Sequence, residues 1–146
     1  MDTPFIQSSI HLDPDAPCIG LVEYFSIADG LEATDAILKQ AAVRILVSRS
    51  VHPGKYTTLW TGTVEDVSES LKAAVRLEKT SLVDLLFLPY VHDKVIQALS
   101  RLYNPNIKLE ALGVLEATSV ASLIKAADIA VKCALVHFIS MRLADH

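Results

Sequence analysis

The feature that most constrains this 146-residue chain is an internal repeat. Residues 19–39 align without gaps onto residues 112–132, and the alignment continues to the last residue. The identical pairs include Gly20 with Gly113, Glu23 with Glu116, Ser26 with Ser119, Asp35 with Asp128, Lys39 with Lys132 and Arg49 with Arg142. Chance rarely keeps a strand glycine, a helix-capping serine and a helix lysine in one register. The chain therefore contains a second copy of one structural unit.

The first copy has the sequence pattern of an α+β domain. Short apolar or β-branched runs at 18–24, 43–51, 55–61 and 82–88 predict four strands. Ile27, Leu31, Thr34 and Leu38 recur at helical spacing and predict a helix from Ser26 to about Gln40. A second long helix should start at the capping residue after position 62, and a short helix should span 92–99. This order predicts a split βαβ arrangement on a four-stranded antiparallel sheet with flanking helices.

The remaining segments suggest domain boundaries. Residues 1–17, with three prolines and three aspartates, read as a flexible extension before a first domain at 18–100. Residues 101–110 read as a linker, and 111–146 as a partial second domain of strand, helix and strand. Such a fragment cannot cover its own sheet edge or bury its helix face alone. We expect a truncated form that assembles more weakly than a complete tandem protein; the alternative is that another chain supplies the missing half.

Composition excludes several classes of function. Hydrophobic residues make up 51% of the chain, yet no run approaches the roughly 20 apolar residues of a membrane span. The apolar excess must go into a dense core or into subunit interfaces. A net charge of −4 without a basic cluster argues against nucleic-acid binding. No phosphate loop, metal-ligand spacing or nucleophile–base pair stands out, so we expect no enzyme, and the two distant cysteines suggest a reduced, cytoplasmic protein.

Four motifs resemble the shell domain of bacterial microcompartments. They are Ile-Gly-Leu-Val-Glu at 19–23, Ala-Xaa-Asp-Ala-Xaa-Xaa-Lys at 33–39, Pro-Gly-Lys at 53–55 and Leu-Pro-Tyr-Val-His at 88–92. The resemblance covers residues 18–100 and again 112–146, and two copies in one chain is typical of the tandem, trimeric members. It implies a structural shell subunit without a cofactor. Such a subunit assembles into pseudo-hexameric trimer tiles with a central pore for metabolites, and its partners are itself, other shell proteins and encapsulated enzymes.

The same resemblance assigns Ser50, Val51, His52, Pro53 and Gly54 to the pore loop. In cluster-bearing relatives a cysteine precedes Pro-Gly-Lys, whereas this chain has His52, so we expect no iron–sulfur cluster. We assign no metal ligand, but His52 could give the pore a pH-dependent positive ring, bind a metal at the axis, or be an ordinary solvent-exposed histidine.

Contacts between neighbouring tiles are the second implied site. Lys39 aligns with the edge lysine of the family, and Lys132 is its repeat equivalent. Asp35 and Asp128, one helical turn earlier, complete the expected tile-edge contacts. The alternative is an ordinary solvated lysine that interacts with the helix dipole.

A different class of function stays open. A ferredoxin-like oligomer could bind a small effector in its interfacial clefts and act as a regulatory protein. A saturable ligand and the absence of sheet assembly would favour this alternative.

Overall fold

The computed structural model describes residues 12–52, 54–103, 106, 108 and 110–143. Eight elements follow in the order β1 (Cys18–Tyr24), α1 (Ile27–Gln40), β2 (Arg44–Val51), β3 (Lys55–Gly62), α2 (Val64–Val75), β4 (Leu82–Leu88), α3 (Asp93–Leu99) and α4 (Val120–Cys133). Seven of them form the first copy, and α4 is the helix of the second copy.

The four strands form one antiparallel sheet in the order β2-β3-β1-β4. Leu21 of β1 lies between Leu59 of β3 and Leu86 of β4. Helix α1 connects β1 to β2, and β3 lies between these two strands, so the expected split βαβ topology is confirmed. Because β1 is a central strand, all seven of its residues are buried.

Helix starts follow the predicted caps. Ser26 Oγ accepts a hydrogen bond from Asp29 N at 3.2 Å, and Ser119 Oγ accepts the equivalent bond from Ser122 N at 3.0 Å. Thr63 caps α2 in the same way. Each cap satisfies one amide that has no partner within its helix. The repeated serine therefore caps both α1 and its repeat equivalent α4.

Each face of the sheet is covered by a different pair of helices. Helices α1 and α2 cover one face, where Trp60 is fully buried and its Nε1 donates to Ser70 Oγ at 2.9 Å. Helices α3 and α4 cover the opposite face, whose core contains Ile19, Leu21, Leu59, Leu86, Val95 and Ile124. The second-copy helix thus lies on the first-copy sheet, on the side away from its repeat equivalent α1.

The side of α1 that packs is not the side that its sequence pattern marked. Gly30, Ala33 and Ile37 are buried against the sheet, and a Cβ on Gly30 would lie only 2.5 Å from the Tyr56 ring. Ile27 and Leu31 are exposed instead. Close packing of small residues on the sheet leaves the larger apolar stripe uncovered within the chain.

The predicted strand–helix–strand unit at 111–146 is only partly correct, because the described residues on either side of α4 form no strand. Leu112, Val114 and Leu115 are extended and exposed. Strand β1, their repeat equivalent, is held in the sheet by ladders with β3 and β4. In the part of the chain that the structure describes, no strand lies beside residues 112–115, and backbone groups without strand partners do not form a ladder. Residues 144–146 lie outside the described part.

Two other boundary predictions need correction. Residues 12–17 are not loose: Ala16 O accepts from Thr61 Oγ1 at 3.0 Å, and Pro17 O accepts from Val91 N at 3.2 Å. Residues 1–11 lie outside the described part. Strand β3 extends one residue beyond the predicted range 55–61, because Gly62 pairs with Cys18 as its last residue. Within the described residues, no helix is long and apolar enough to cross a membrane.

Candidate functional site

The candidate site is the interface between the two copies, where α4 rests on the sheet. Its apolar stripe is buried against β1, β4 and α3, and consists of Val120, Ala121, Ile124, Ala127 and Val131. Burial of this stripe removes apolar surface from water and supplies the non-directional part of the docking. Polar contacts at both ends of α4 set its register.

Two first-copy carboxylates bind the N-terminus of α4. Glu23 is fully buried, and its Oε2 accepts a hydrogen bond from Val120 N at 2.9 Å. The Asp84 carboxylate accepts from the hydroxyl of Ser119 and from Ser122 Oγ, the latter at 3.1 Å. Helix N-termini carry free amides and a partial positive charge, so acceptors with negative charge stabilise this end.

Asp84 is ionised in this setting. Burial raises the pKa of its carboxyl, but the hydrogen bonds from Ser119, the Leu85 amide and Ser122, with the positive charge of Lys125, outweigh burial. The net effect is a lowered pKa. The carboxylate therefore stays negative at neutral pH and favours a helix that presents hydroxyls and a cation.

A row of polar residues crosses the sheet beneath this helix end. In the strand registers, Arg49 pairs with Thr57, Thr57 with Glu23, and Glu23 with Asp84. Register neighbours point to the same face, so the row extends from the β2 edge to the β4 edge. The sequence marked Glu23 only through the repeat and did not indicate Thr57 or Asp84, because alternation within a strand does not reveal which residues pair across strands.

The C-terminal half of α4 is bound by the segment between β4 and α3. Asp128, 2% exposed, accepts from His92 N at 2.9 Å through Oδ1, and its Oδ2 lies 2.6 Å from Lys132 Nζ. Lys132 Nζ also donates to Tyr90 O at 2.9 Å. This burial places Asp128 in the contact between α4 and the first copy.

The repeat-equivalent pair on α1 is on the surface. Lys39 Nζ lies 2.6 Å from Asp35 Oδ2, and both side chains are exposed. The structure thus separates the four residues expected at tile edges: Asp35 and Lys39 face outward, Lys132 is half-exposed, and Asp128 is enclosed.

The β2–β3 turn lies at the same end of the sheet as the start of α4. Val51 pairs with Lys55, and Gly54 N donates to Val51 O at 3.0 Å. Gly54 has φ +87°, a conformation that suits glycine. Ser50, His52 and Gly54 are exposed and Val51 is buried, while Pro53 lies outside the described residues.

Lys55, which sequence reasoning left without a role, connects this turn to both copies. Its Nζ donates to Thr118 O at 2.7 Å and lies 5.6 Å from the centroid of the Phe25 ring. Phe25 and Thr118 are repeat equivalents in the alignment of the two copies. The turn therefore lies where equivalent points of the two copies meet.

The described stretches contain no group of three or more His, Cys, Asp or Glu residues that could hold a metal ion. Burial raises the pKa of the Cys18 thiol to about 11, so Cys18 is neutral at physiological pH. Cys133 is exposed and unpaired with Cys18.

Comparisons with known proteins agree with this architecture. The BMC domain model, which describes the bacterial microcompartment domain, matches residues 18–91 and 111–146. The bacterial microcompartment shell protein PduT of Citrobacter freundii is 42% identical over 126 residues, which are 86% of this chain and 68% of that protein. A crystal structure of a microcompartment protein from Desulfitobacterium hafniense matches with a TM-score of 0.64 and 38% identity, over 87% of this chain and 72% of that one. With two matched segments and one sheet that carries the helix of a second copy, this chain belongs to the BMC-domain family.

Proposed function

We propose that this chain is a structural subunit of a bacterial microcompartment shell and not an enzyme. The observation that carries the proposal is the docking of α4 from the second copy on the sheet of the first. Neighbouring shell domains need a specific side-by-side contact of this kind. The relationship to a shell protein supports the same function.

The geometry of this contact favours a ring. A helix face of one copy binds a sheet face of the other, so the two contacting surfaces differ and the interface is head-to-tail. Repetition of a head-to-tail contact closes into a ring when the rotation allows it. Three chains with two copies each would give a pseudo-sixfold trimer. Such a tile would contact itself and other shell proteins, and would enclose enzymes that this sequence does not identify.

The β2–β3 turn is the proposed pore loop. Ser50, His52 and Gly54 are exposed at the turn, and Lys55 ties it to the junction between the copies. A ring would repeat this turn about its axis, where exposed side chains and backbone groups would select the metabolites that pass. Val51 is buried and would position the loop; Pro53 is assigned by the family resemblance.

Lys39 and Asp35 are the proposed tile-edge contacts of the first copy, with Lys132 as the second-copy equivalent. The position of Lys39 supports this assignment. Lys39 is exposed in the last turn of α1, and within the described part of the chain its side chain pairs with Asp35 of the same helix. Such an exposed pair adds little to the stability of the chain itself. It is therefore free to serve a contact between tiles.

The first test is the native mass of this chain in solution, together with electron microscopy of the same sample. A discrete trimer, or sheets with hexagonal spacing, is the expected result. A monomer that forms no sheets and binds a small ligand saturably would overturn the proposal and favour the regulatory alternative.

A matched pair of variants separates tile contacts from subunit assembly. Lys39→Ala should keep the native mass but reduce the area of ordered sheets several-fold. Lys72→Ala is the control, because Lys72 lies in the last turn of α2 and forms a similar exposed ion pair with Glu69 at 2.7 Å. Equal loss of sheets in both variants would contradict the assignment of Lys39.

A further inference from the structure

The apolar face by which α4 docks on the sheet has an equivalent on α1, and on α1 this face is exposed. At the three large apolar positions, Ile27, Leu31 and Leu38 are 51, 53 and 50% exposed. Their repeat equivalents Val120, Ile124 and Val131 are 5, 0 and 8% exposed. An apolar stripe this exposed on a well-formed helix calls for a partner. Because the equivalent stripe of α4 binds a shell-domain sheet, the partner that fits α1 is a second sheet face of that type.

Helices α1 and α4 differ in charge at two positions on this side. Helix α4 has Ser122 and Lys125 near Asp84: Ser122 Oγ donates to the carboxylate, and the charge of Lys125 stabilises it. Helix α1 has Asp29 and Glu32 at the equivalent positions. Docked in the place of α4, α1 would bring two carboxylates to the partly buried strand edge where Asp84 already lies.

The acids of α1 are only partly compensated within the first copy. Lys79 Nζ lies 2.6 Å from Glu32 and 3.5 Å from Asp29, so one cation serves two anions. Hydrogen bonds from Ser81 and the charge of Lys79 lower the pKa of Asp29, and Asp29 remains ionised. Like charges brought together while losing contact with water repel strongly.

We propose that Asp84 is a specificity-determining residue of the contact between copies. It admits a helix with Ser122 and Lys125 and rejects a helix with Asp29 and Glu32. The first-copy sheet therefore takes second-copy helices only. Helix α1 is left to dock on a shell-type sheet of another subunit that has a neutral or basic residue at the position of Asp84. Only this last step rests on the proposed function; the selection by Asp84 operates within a single chain.

The test transfers the two α1 acids into α4 of the full chain. In the double variant Ser122→Asp/Lys125→Glu, we expect amide hydrogen-exchange protection of α4 to fall at least about tenfold, because a charged hydrogen bond is replaced by repulsion. An aspartate at the third helical position is favoured by the helix dipole, but acids at positions 122 and 125 also repel each other within the helix. Recovery on changing Asp84 separates the contact with Asp84 from this cost within the helix. Addition of Asp84→Lys should restore most of the protection.

The neutral variant Ser122→Ala/Lys125→Gln serves as the control and should lose less protection than the acidic one. Protection of the β1 and β3 amides reports that the first copy remains folded in every variant. Wild-type protection of α4 in the acidic variant would overturn the proposal. So would a loss that Asp84→Lys leaves unchanged. Neither result depends on assembly, so failure of the selection is distinguishable from failure of the shell function.

Discussion

Gly20 lies where β1 passes beneath the indole ring of Trp60. A Cβ built on Gly20 would come within 2.5 Å of two ring carbons, closer than real contacts allow. Its repeat equivalent Gly113 has nothing within 4 Å of such a Cβ. The repeat alignment pairs the two glycines, but it cannot show that only one is needed for space. That difference arises because β1 is in a sheet and the segment around Gly113 is not.

This contrast gives a prediction at the residue scale. Gly20→Ala should lower the free energy of unfolding by about 1–3 kcal/mol, because the indole ring is fully buried and the strand must shift. Gly113→Ala should change it by no more than about 1 kcal/mol, with a small gain possible from the stiffer unfolded chain. Urea unfolding, followed by tryptophan fluorescence, measures both. Equal losses in the two variants would show that the tight contact at Gly20 is not what matters.

Helix α4 shows how much the sequence can say about an element and where it stops. Apolar spacing and Ser119 predicted the helix and its cap correctly. The docking face could not be derived, because α1 and α4 carry the same stripe and one is exposed while the other is buried. The strands beside α4 were predicted wrongly, since a strand sequence forms a strand only where partner strands exist. Asp84 escaped notice because its role depends on register between strands.

Asp128 and Asp35 give the matching prediction at the scale of the element. Asp128→Ala removes the acceptor of the His92 amide and the partner of Lys132, and should destabilise the docked α4 by about 1–3 kcal/mol. Asp35→Ala removes only an exposed ion pair, with a cost of at most about 0.5 kcal/mol. The two changes have the same intrinsic effect on helix propensity. Hydrogen exchange of α4 and α1 amides provides the comparison; similar losses would argue against an anchoring role for Asp128.

The whole molecule combines a predictable first copy with a docked element whose place is set by tertiary contacts. The helix caps, the positions of the four strands to within one residue, and the split βαβ order are confirmed. The two-sided sheet, with α1 and α2 on one face and α3 and α4 on the other, follows from uncovered apolar surface, such as Leu21 and Leu86. The first-copy core around Trp60 does not include α4. The molecule therefore has two hydrophobic layers, one on each face of the sheet, and the polar groups at the boundaries of the two layers differ.

Acid should separate these two layers. The pKa of Asp84 is lower in the folded chain than in the unfolded chain, so its contribution is present above the unfolded value of about 4 and is lost as pH falls through the folded pKa. The core around Trp60 contains no carboxylate, and its buried hydrogen bond from Trp60 to Ser70 does not titrate in acid. Asp29 of α1 also has a lowered pKa, but its ion pair with Lys79 lies at the partly exposed edge of this layer and contributes less. We expect α4 to undock at a higher pH than that at which Trp60 becomes exposed. Amide chemical shifts of α4 and tryptophan fluorescence, recorded on one sample from pH 6 to 2, report the two events.

In Asp84→Asn the carboxylate is absent, so α4 should be less tightly docked at pH 6 and its release should depend less on pH. A single transition that both probes share, with the same midpoint in the wild type and in Asp84→Asn, would show that the layers unfold as one unit.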